Sequence, residues 1–330
     1  MTAERMRALR IERHGGPEVM QLVELPVPEP GPGEVRVKME ASGLNYSDIM
    51  MREGRYLRET PVPIVLGHEI CGVIEKLGTG VERWRVGQRV ISLTAQGGGL
   101  AERVVVPAVN PVPIPQGLTP PEGAALLVQG LTAVQMLDDA AKVKPGETVL
   151  VHAAAGGVGT VAVQIARARG ARVLGTSSSE EKCRLISELG ATPINYAQGD
   201  WVREVLELTG GKGADVILEC VGGEVLERSY KEALADFGRL VVYGVASGKA
   251  VQVDNYQILA SNKSLIGFWL GPHFAKHMDR VTAAREKLVQ MIGRGDLRLI
   301  VGKTFRLEDA AGAFAHMQSR KSVGKVVVTP

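Results

Sequence analysis

From Leu126 onward, strand-length apolar runs alternate with stretches of helical periodicity, and this alternation constrains the fold more than any other feature. Thr148–Ala153 reads as a strand, and about Gly157–Arg169 as a helix. Arg172–Thr176 and Ser179–Leu189 repeat the pair. Pro193–Asn195 follows, with a helix after Asp200, then Asp215–Cys220, a helix over Glu224–Ala235, and a strand Arg239–Gly244. Strands joined by helices at this spacing form a parallel sheet covered on both faces.

The first of these junctions carries chemistry. Ala153-Ala154-Ala155-Gly156-Gly157-Val158-Gly159 follows a predicted strand and opens a predicted helix, the context a dinucleotide fingerprint requires. Gly156, Gly157, Val158 and Gly159 are assigned to the pyrophosphate, which unpaired backbone N–H groups and the helix dipole stabilise. A glycine turn that merely packs a strand against a helix has the same local pattern; the βα units after it favour the nucleotide reading. In sheets that bind NAD an acid stands about 20 residues after the first glycine and holds the ribose 2′-hydroxyl. Here Ser177-Ser178-Ser179 follows the second strand. Ser177 is assigned to a 2′-phosphate, with Lys182 adding a charge-assisted contact, while Ser178 and Glu181 fit a helix capping box. The predicted cofactor is NADPH; Glu180 keeps NADH open as an alternative.

The first ~125 residues have a different style, with short alternating or apolar runs broken by Gly/Pro clusters. Val35-Arg36-Val37-Lys38-Met39 alternates with period two, and Val73-Ile74, Val90-Ile91 and Val104-Val105-Val106 each adjoin a break. After Gly244 come helices around Ala283–Ile292 and Leu307–Gln318 and a strand Gly324–Thr329. The whole is an α/β protein with a β-rich part and a doubly wound part.

Composition excludes several function classes. A net charge of +3, from 39 basic and 36 acidic residues, leaves no electrostatic footprint for nucleic acid or an anionic membrane. No apolar run is long enough to span a bilayer, and the stretch MTAERMRALR lacks the apolar core of a signal peptide. The three cysteines, Cys71, Cys183 and Cys220, are odd in number and far apart, which predicts reduced thiols and a cytoplasmic protein.

Taken together, the chain resembles the quinone oxidoreductase (zeta-crystallin-like) branch of the medium-chain dehydrogenase/reductase superfamily. The resemblance rests on Gly15-Gly16-Pro17-Glu18-Val19, Pro28–Glu34, Gly43-Leu44-Asn45-Tyr46-Ser47-Asp48, Gly67-His68-Glu69, Gly130-Leu131-Thr132-Ala133, the fingerprint and Gly324-Lys325-Val326-Val327. It implies a discontinuous GroES-like catalytic domain, residues 1–125 and 272–330, around a Rossmann domain, residues 126–271. The active site would lie in the cleft, and a homodimer is expected. It also implies that Thr132, Tyr196, Gly244, Val245, Ala246, Phe268, Trp269, Leu270, Arg320, Lys325 and Asn45 contact the cofactor.

The alcohol dehydrogenases of that superfamily hold a catalytic zinc at three positions, occupied here by Asn45, His68 and Gln129. One imidazole and two amides are a poor set for Zn²⁺, which prefers thiolate, imidazole and carboxylate, so no metal is expected. Without a Lewis acid the natural acceptors are quinones and conjugated enones or enals, which spread the incoming charge through their own π-systems. Asn45, Tyr46 and Tyr56 are the candidate catalytic residues, either tyrosine serving as proton donor or carbonyl anchor. A rival enzymatic reading is an enoyl-thioester reductase with Arg52, Arg55 and Arg58 as a basic rim. A non-enzymatic one is an NADPH-binding structural or RNA-binding protein.

Overall fold

The computed structural model describes residues 4–94 and 96–330; the first three residues of the MTAERMRALR stretch lie outside them. Along the chain the elements are β1 (Arg5–Ile11), β2 (Met20–Pro26), β3 (Glu34–Gly43), α1 (Tyr46–Arg52), β4 (Ile64–Val65), β5 (Glu69–Leu77), β6 (Arg89–Leu93), β7 (Arg103–Pro107), β8 (Val112–Pro113), α2 (Pro120–Gly123) and α3 (Leu127–Gln135). Then come β9 (Thr148–Val151), α4 (Gly157–Ala168), β10 (Arg172–Ser177), α5 (Glu180–Glu188), β11 (Thr192–Asn195), α6 (Trp201–Leu208), β12 (Ala214–Glu219), α7 (Gly223–Arg228) and β13 (Leu234–Val242). The chain closes with α8 (Asn255–Ser261), β14 (Ser264–Gly267), α9 (Gly271–Lys276), α10 (Met278–Gly293), β15 (Val301–Arg306), α11 (Ala310–Gln318) and β16 (Lys325–Thr329).

These elements form two compact units, Met1–Val128 with Leu299–Pro330, and Gln129–Arg298. The first is β-rich, as the Gly/Pro-broken alternation predicts. A three-stranded sheet runs β2-β1-β4, and a second runs β15-β16-β3-β5-β6-β8 with β7 also paired to β3. All pairs are antiparallel except β15 with β16. Strand β16 pairs with β3, so the end of the chain completes a sheet begun near its start. Leu9, Ile11, Leu44, Ile49, Phe305, Phe314, Val326 and Val328 share one core there, which ties α1 and α11 to both chain segments.

The second unit is a six-stranded parallel sheet in the order β11-β10-β9-β12-β13-β14. Counted from β9, that is the order 3-2-1-4-5-6 of a dinucleotide-binding fold, with the topological switch between β9 and β12. The central strands are continuously apolar, as strands buried on both faces must be; Leu150, Leu174, Ile194, Val205, Ile217 and Leu240 form their core. Asp200 and Ser179 cap α6 and α5 by accepting from Val202 N–H and Lys182 N–H, so polar residues set where those helices begin.

Two boundaries depart from the sequence reading. The segment 272–298, expected with the first domain, belongs to the second unit. There Leu288 of α10 is buried against Gly130, where a Cβ would approach it to 2.7 Å, and Lys287 reaches Asp138 at 3.0 Å. The helix expected over Glu224–Ala235 is shorter. After Arg228 the chain makes one wide turn over Ser229–Ala233 and enters β13 at Leu234.

Candidate active site

In the second unit, the predicted cofactor residues other than Thr132 lie at or after the carboxyl ends of the parallel strands. Ala153 takes a left-handed conformation (φ 51°), and Gly156 N–H closes a turn onto Ala153 O at 2.9 Å. Helix α4 then starts at Gly157 with Gly156 as an N-cap that has no side chain to offer. The N–H groups of Gly157, Val158 and Gly159 therefore have no intrahelical acceptor, and they form a cradle of partial positive charge. Gly159 is required by space: a Cβ there would stand 2.3 Å from Ala153 O and 2.7 Å from Ala154 Cα.

The loop carrying Gly244, Val245 and Ala246 follows β13 and is zipped to the loop after β12. Ala246 N–H donates to Cys220 O (2.9 Å), Ser247 N–H to Val221 O (2.7 Å), and Gly223 N–H to Lys249 O (3.2 Å). The buried Glu219 carboxylate anchors this zipper by accepting from Val221 N–H at 2.6 Å and Gly222 N–H at 2.9 Å. Burial raises its pKa, while those two donors pull the other way. Phe268, Trp269 and Leu270 follow β14, Phe268 buried beside the His273 ring. Thr132 is buried on α3. Tyr196, after β11, is exposed, and its N–H donates to Ser177 O at 3.1 Å.

The end of β10 departs from the sequence reading. The Ser177 hydroxyl, expected at a 2′-phosphate, is buried 3.2 Å from the Cys183 thiol of α5. Ser179, not Ser178, caps α5. That leaves Ser178 half-buried on the turn with Lys182, whose pKa burial lowers. Glu180 accepts from Asn195 Nδ2 at 3.2 Å.

The first unit assembles a second constellation that sequence order hides. Asn45 caps α1, its backbone N–H donating to Asp48 Oδ2 at 2.8 Å. Asp48 Oδ1 lies 2.5 Å from His68 Nδ1. On the other side, Lys325 Nζ donates to Asn45 Oδ1 and to Glu69 Oε2, both at 2.7 Å, and Glu69 Oε1 accepts from Val128 N–H at 2.9 Å. Lys325, Asp48 and Glu69 are all buried. Lys325, expected at the cofactor, thus spends its ammonium inside the protein. His68 Nε2 is buried without a hydrogen-bond partner, and so are both amide atoms of Gln129 in the other unit. Buried groups of this kind call for a ligand or water.

Tyr46 opens α1, half-buried, its pKa raised first by burial and then by the charge of Glu53. Tyr56 lies in the half-exposed loop after that helix, and Arg320 is exposed after α11. Arg52 is no rim residue. It is fully buried, donating to Gly15 O and Glu53 Oε1 with its guanidinium over the Phe314 ring, while Arg55 pairs with Glu53. Glu219, Asp48 and Glu69 were not singled out in the sequence; the signals available were an acid closing a strand and an acid beside His68. The thiols of Cys71 and Cys220 are pushed up to about 12 by burial. Among the described residues no group of three or more His, Cys, Asp or Glu side chains is placed to hold a metal, and no helix is long and apolar enough to cross a membrane.

Comparison with known proteins places this arrangement. Residues 31–116 match the alcohol dehydrogenase GroES-like domain, and residues 157–284 match the zinc-binding dehydrogenase domain. A quinone oxidoreductase of Pseudomonas aeruginosa is 37% identical over 328 residues, covering 98% of this chain and 99% of that protein. The chain belongs to the quinone oxidoreductase branch of the medium-chain dehydrogenase/reductase superfamily. It is therefore an oxidoreductase built from a GroES-like domain and a Rossmann domain. A 2-haloacrylate reductase of Burkholderia sp. is 36% identical over 329 residues, covering 97% of this chain and 98% of its own. The crystal structures of the Thermus thermophilus quinone oxidoreductase, free and in complex with NADPH, superpose with a TM-score of 0.86 at 41% identity. They cover 98% of this chain and all of that one.

Proposed function

We propose that this oxidoreductase uses NADPH to reduce quinones or other conjugated enones and enals, and that it does so without zinc. The reaction is acceptor + NADPH + H⁺ → reduced acceptor + NADP⁺; the cofactor supplies the hydride when bound. The residues of the second unit fit the cofactor: the cradle at Gly157–Gly159 takes the pyrophosphate, and the Gly244–Ala246 and Phe268–Leu270 loops, with Thr132, are assigned to the nicotinamide. Ser178 and Lys182 take the 2′-phosphate in place of Ser177, with Tyr196 beside the adenosine. NADPH-bound structure of the Thermus relative supports this choice. Catalytic efficiency with NADPH should exceed that with NADH at least tenfold, and Lys182→Ala should remove most of that preference, because a hydrogen bond to a charged group contributes roughly 1.5–3 kcal/mol. Equal efficiency of the two cofactors in steady-state kinetics would defeat the assignment.

The observation that carries the zinc-free reading is the Lys325 ammonium on Asn45 Oδ1. That oxygen is the one side-chain atom of Asn45 able to ligate a cation, and a fixed positive charge already holds it. The ligand set of one imidazole and two amides does not fit Zn²⁺. Tyr46, with its raised pKa, stays protonated at neutral pH and can donate its phenolic proton to the reduced acceptor; Tyr56 is the second candidate. Chelator-treated protein should reduce naphthoquinones and small enones at full rate while leaving simple secondary alcohols unoxidised with NADP⁺. Stoichiometric zinc with brisk alcohol oxidation would reverse the reading.

With Arg52 buried, the basic rim that a thioester carrier needs loses a member. Three free cysteines, Cys71 and Cys183 buried and Cys220 half-buried, fit the cytoplasm. Strand β14 is a sheet edge whose Ser264 and Leu265 are exposed, and an unpaired edge invites a second strand; a homodimer joined there is proposed.

A further inference from the structure

Lys325 and Asn45 are 280 residues apart in sequence and joined by one hydrogen bond. An ammonium has three donors and no acceptor, so the amide atom it faces is the oxygen. The same ammonium is neutralised by Glu69, itself held by Val128 N–H. The backbone beneath is fixed as well, since Asn45 N–H is bound to Asp48, which is bound to His68. Gly43 makes the room: a Cβ there would stand 2.0 Å from Ala124 O and 2.6 Å from Lys325 Cε. Asn45 Nδ2 donates one hydrogen to Gly43 O at 3.2 Å.

We infer that Lys325 is a positioning residue for the reduction: by holding the Asn45 amide oxygen it presents the amide nitrogen as a fixed, polarised donor to the oxygen on which negative charge collects in the acceptor. This rests on the reading of the acceptor as a quinone or enone. An asparagine amide free to flip would present its oxygen part of the time and repel that charge. The lysine prevents the flip. Because Glu69 balances Lys325, the cluster strengthens the donor without adding net charge, and the donor is oriented before the acceptor arrives. Losing one preorganised donor to a developing oxyanion costs on the order of 10²–10³ in kcat, and losing only its orientation costs part of that.

The test is a double-mutant cycle on the full-length protein with NADPH and a naphthoquinone. Glu69→Gln and Lys325→Met are made together, because removing one partner alone strands a buried charge. This paired change should lower kcat roughly 10- to 100-fold and leave the NADPH dissociation constant, read by fluorescence titration, within about twofold. In an Asn45→Ala background the same pair should cost less than about twofold, since there is no amide left to orient. Equal losses in both backgrounds, or an unchanged kcat, would overturn the inference, as would a weakened NADPH affinity. Should the paired variant not fold, Asn45→Asp keeps the shape and the lysine partner but removes the donor. Its kcat should fall at least about 100-fold, and full turnover would overturn the proposal. A wild-type protein that binds NADPH but reduces no quinone or enone would instead remove the reading beneath it.

Discussion

Gly159→Val should weaken NADPH binding at least about 100-fold and lower the unfolding midpoint together with it. The cause is backbone against backbone. A Cβ at this position meets Ala153 O at 2.3 Å and Ala154 Cα at 2.7 Å, and neither atom is the far end of a flexible side chain. The first turn of α4 must move away from β9. The N–H groups of Gly157 and Val158 move with it, and a charge-assisted contact depends steeply on donor position. Two further methyls aggravate an overpacked site, which costs typically 1–3 kcal/mol. Gly156→Ala is the control. Its Cβ would meet only Ala153 O, at 3.2 Å, and its φ of −84° suits any residue, so binding should change by less than about tenfold. Fluorescence titration and thermal unfolding on both variants decide the matter; wild-type affinity in Gly159→Val would refute the cradle.

Acidification should destabilise the protein through His152, by about 2.5 kcal/mol between pH 6.5 and 4.5. His152 is fully enclosed in the second unit, with Nδ1 3.0 Å from Thr176 Oγ1, Nε2 2.8 Å from Ser229 Oγ, and its ring edge-on to Trp201. Burial holds its pKa down at about 3, against 6.5 for a free imidazole. Below pH 6.5 the unfolded chain takes up a proton that the folded one refuses, so stability falls as pH falls, by about 1.4 kcal/mol per pH unit. The loss levels off near pH 3, where the folded imidazole titrates too. His152→Gln cannot titrate and keeps a donor and an acceptor for the two hydroxyls. Denaturant unfolding at pH 6.5 and 4.5 should therefore show the variant losing about 2.5 kcal/mol less than the parent. Identical losses would mean that His152 is not the group responsible.

The sheet was legible because its signals are local. Runs such as Thr148-Val149-Leu150-Val151 are apolar on both faces and end in glycine turns, and Asp200 marks the start of α6 by its capping chemistry. What stayed hidden is what depends on a distant partner. Helix α10 has an amphipathic pattern, which says that one face is buried but not against which core; Gly130 and Leu288 decide it. Ser177 has the residue type for a phosphate contact, yet its hydroxyl is turned to Cys183, a preference no spacing rule encodes. Arg52 sits in a basic stretch that reads as surface, but Phe314, Gly15 and Glu53 enclose it. The Asn45–Lys325–Glu69 cluster was beyond reach for the same reason, since its members come from β16, β5 and the cap of α1. The fold therefore follows from periodicity, and the site from pairings that only the folded chain creates.

The depth at which the thiols are kept has a consequence for a catalyst of this type. Enones are Michael acceptors, and the thiolate is the form of cysteine that adds to them. With pKa values of about 12, Cys71 and Cys220 hold only on the order of one part in 10⁵ as thiolate at neutral pH, and Cys183 is buried against Ser177. With enones as the proposed acceptors, such a protein would meet soft electrophiles turnover after turnover with little alkylation of its own cysteines, and burial that looks like ordinary core packing would also preserve the working life of the enzyme.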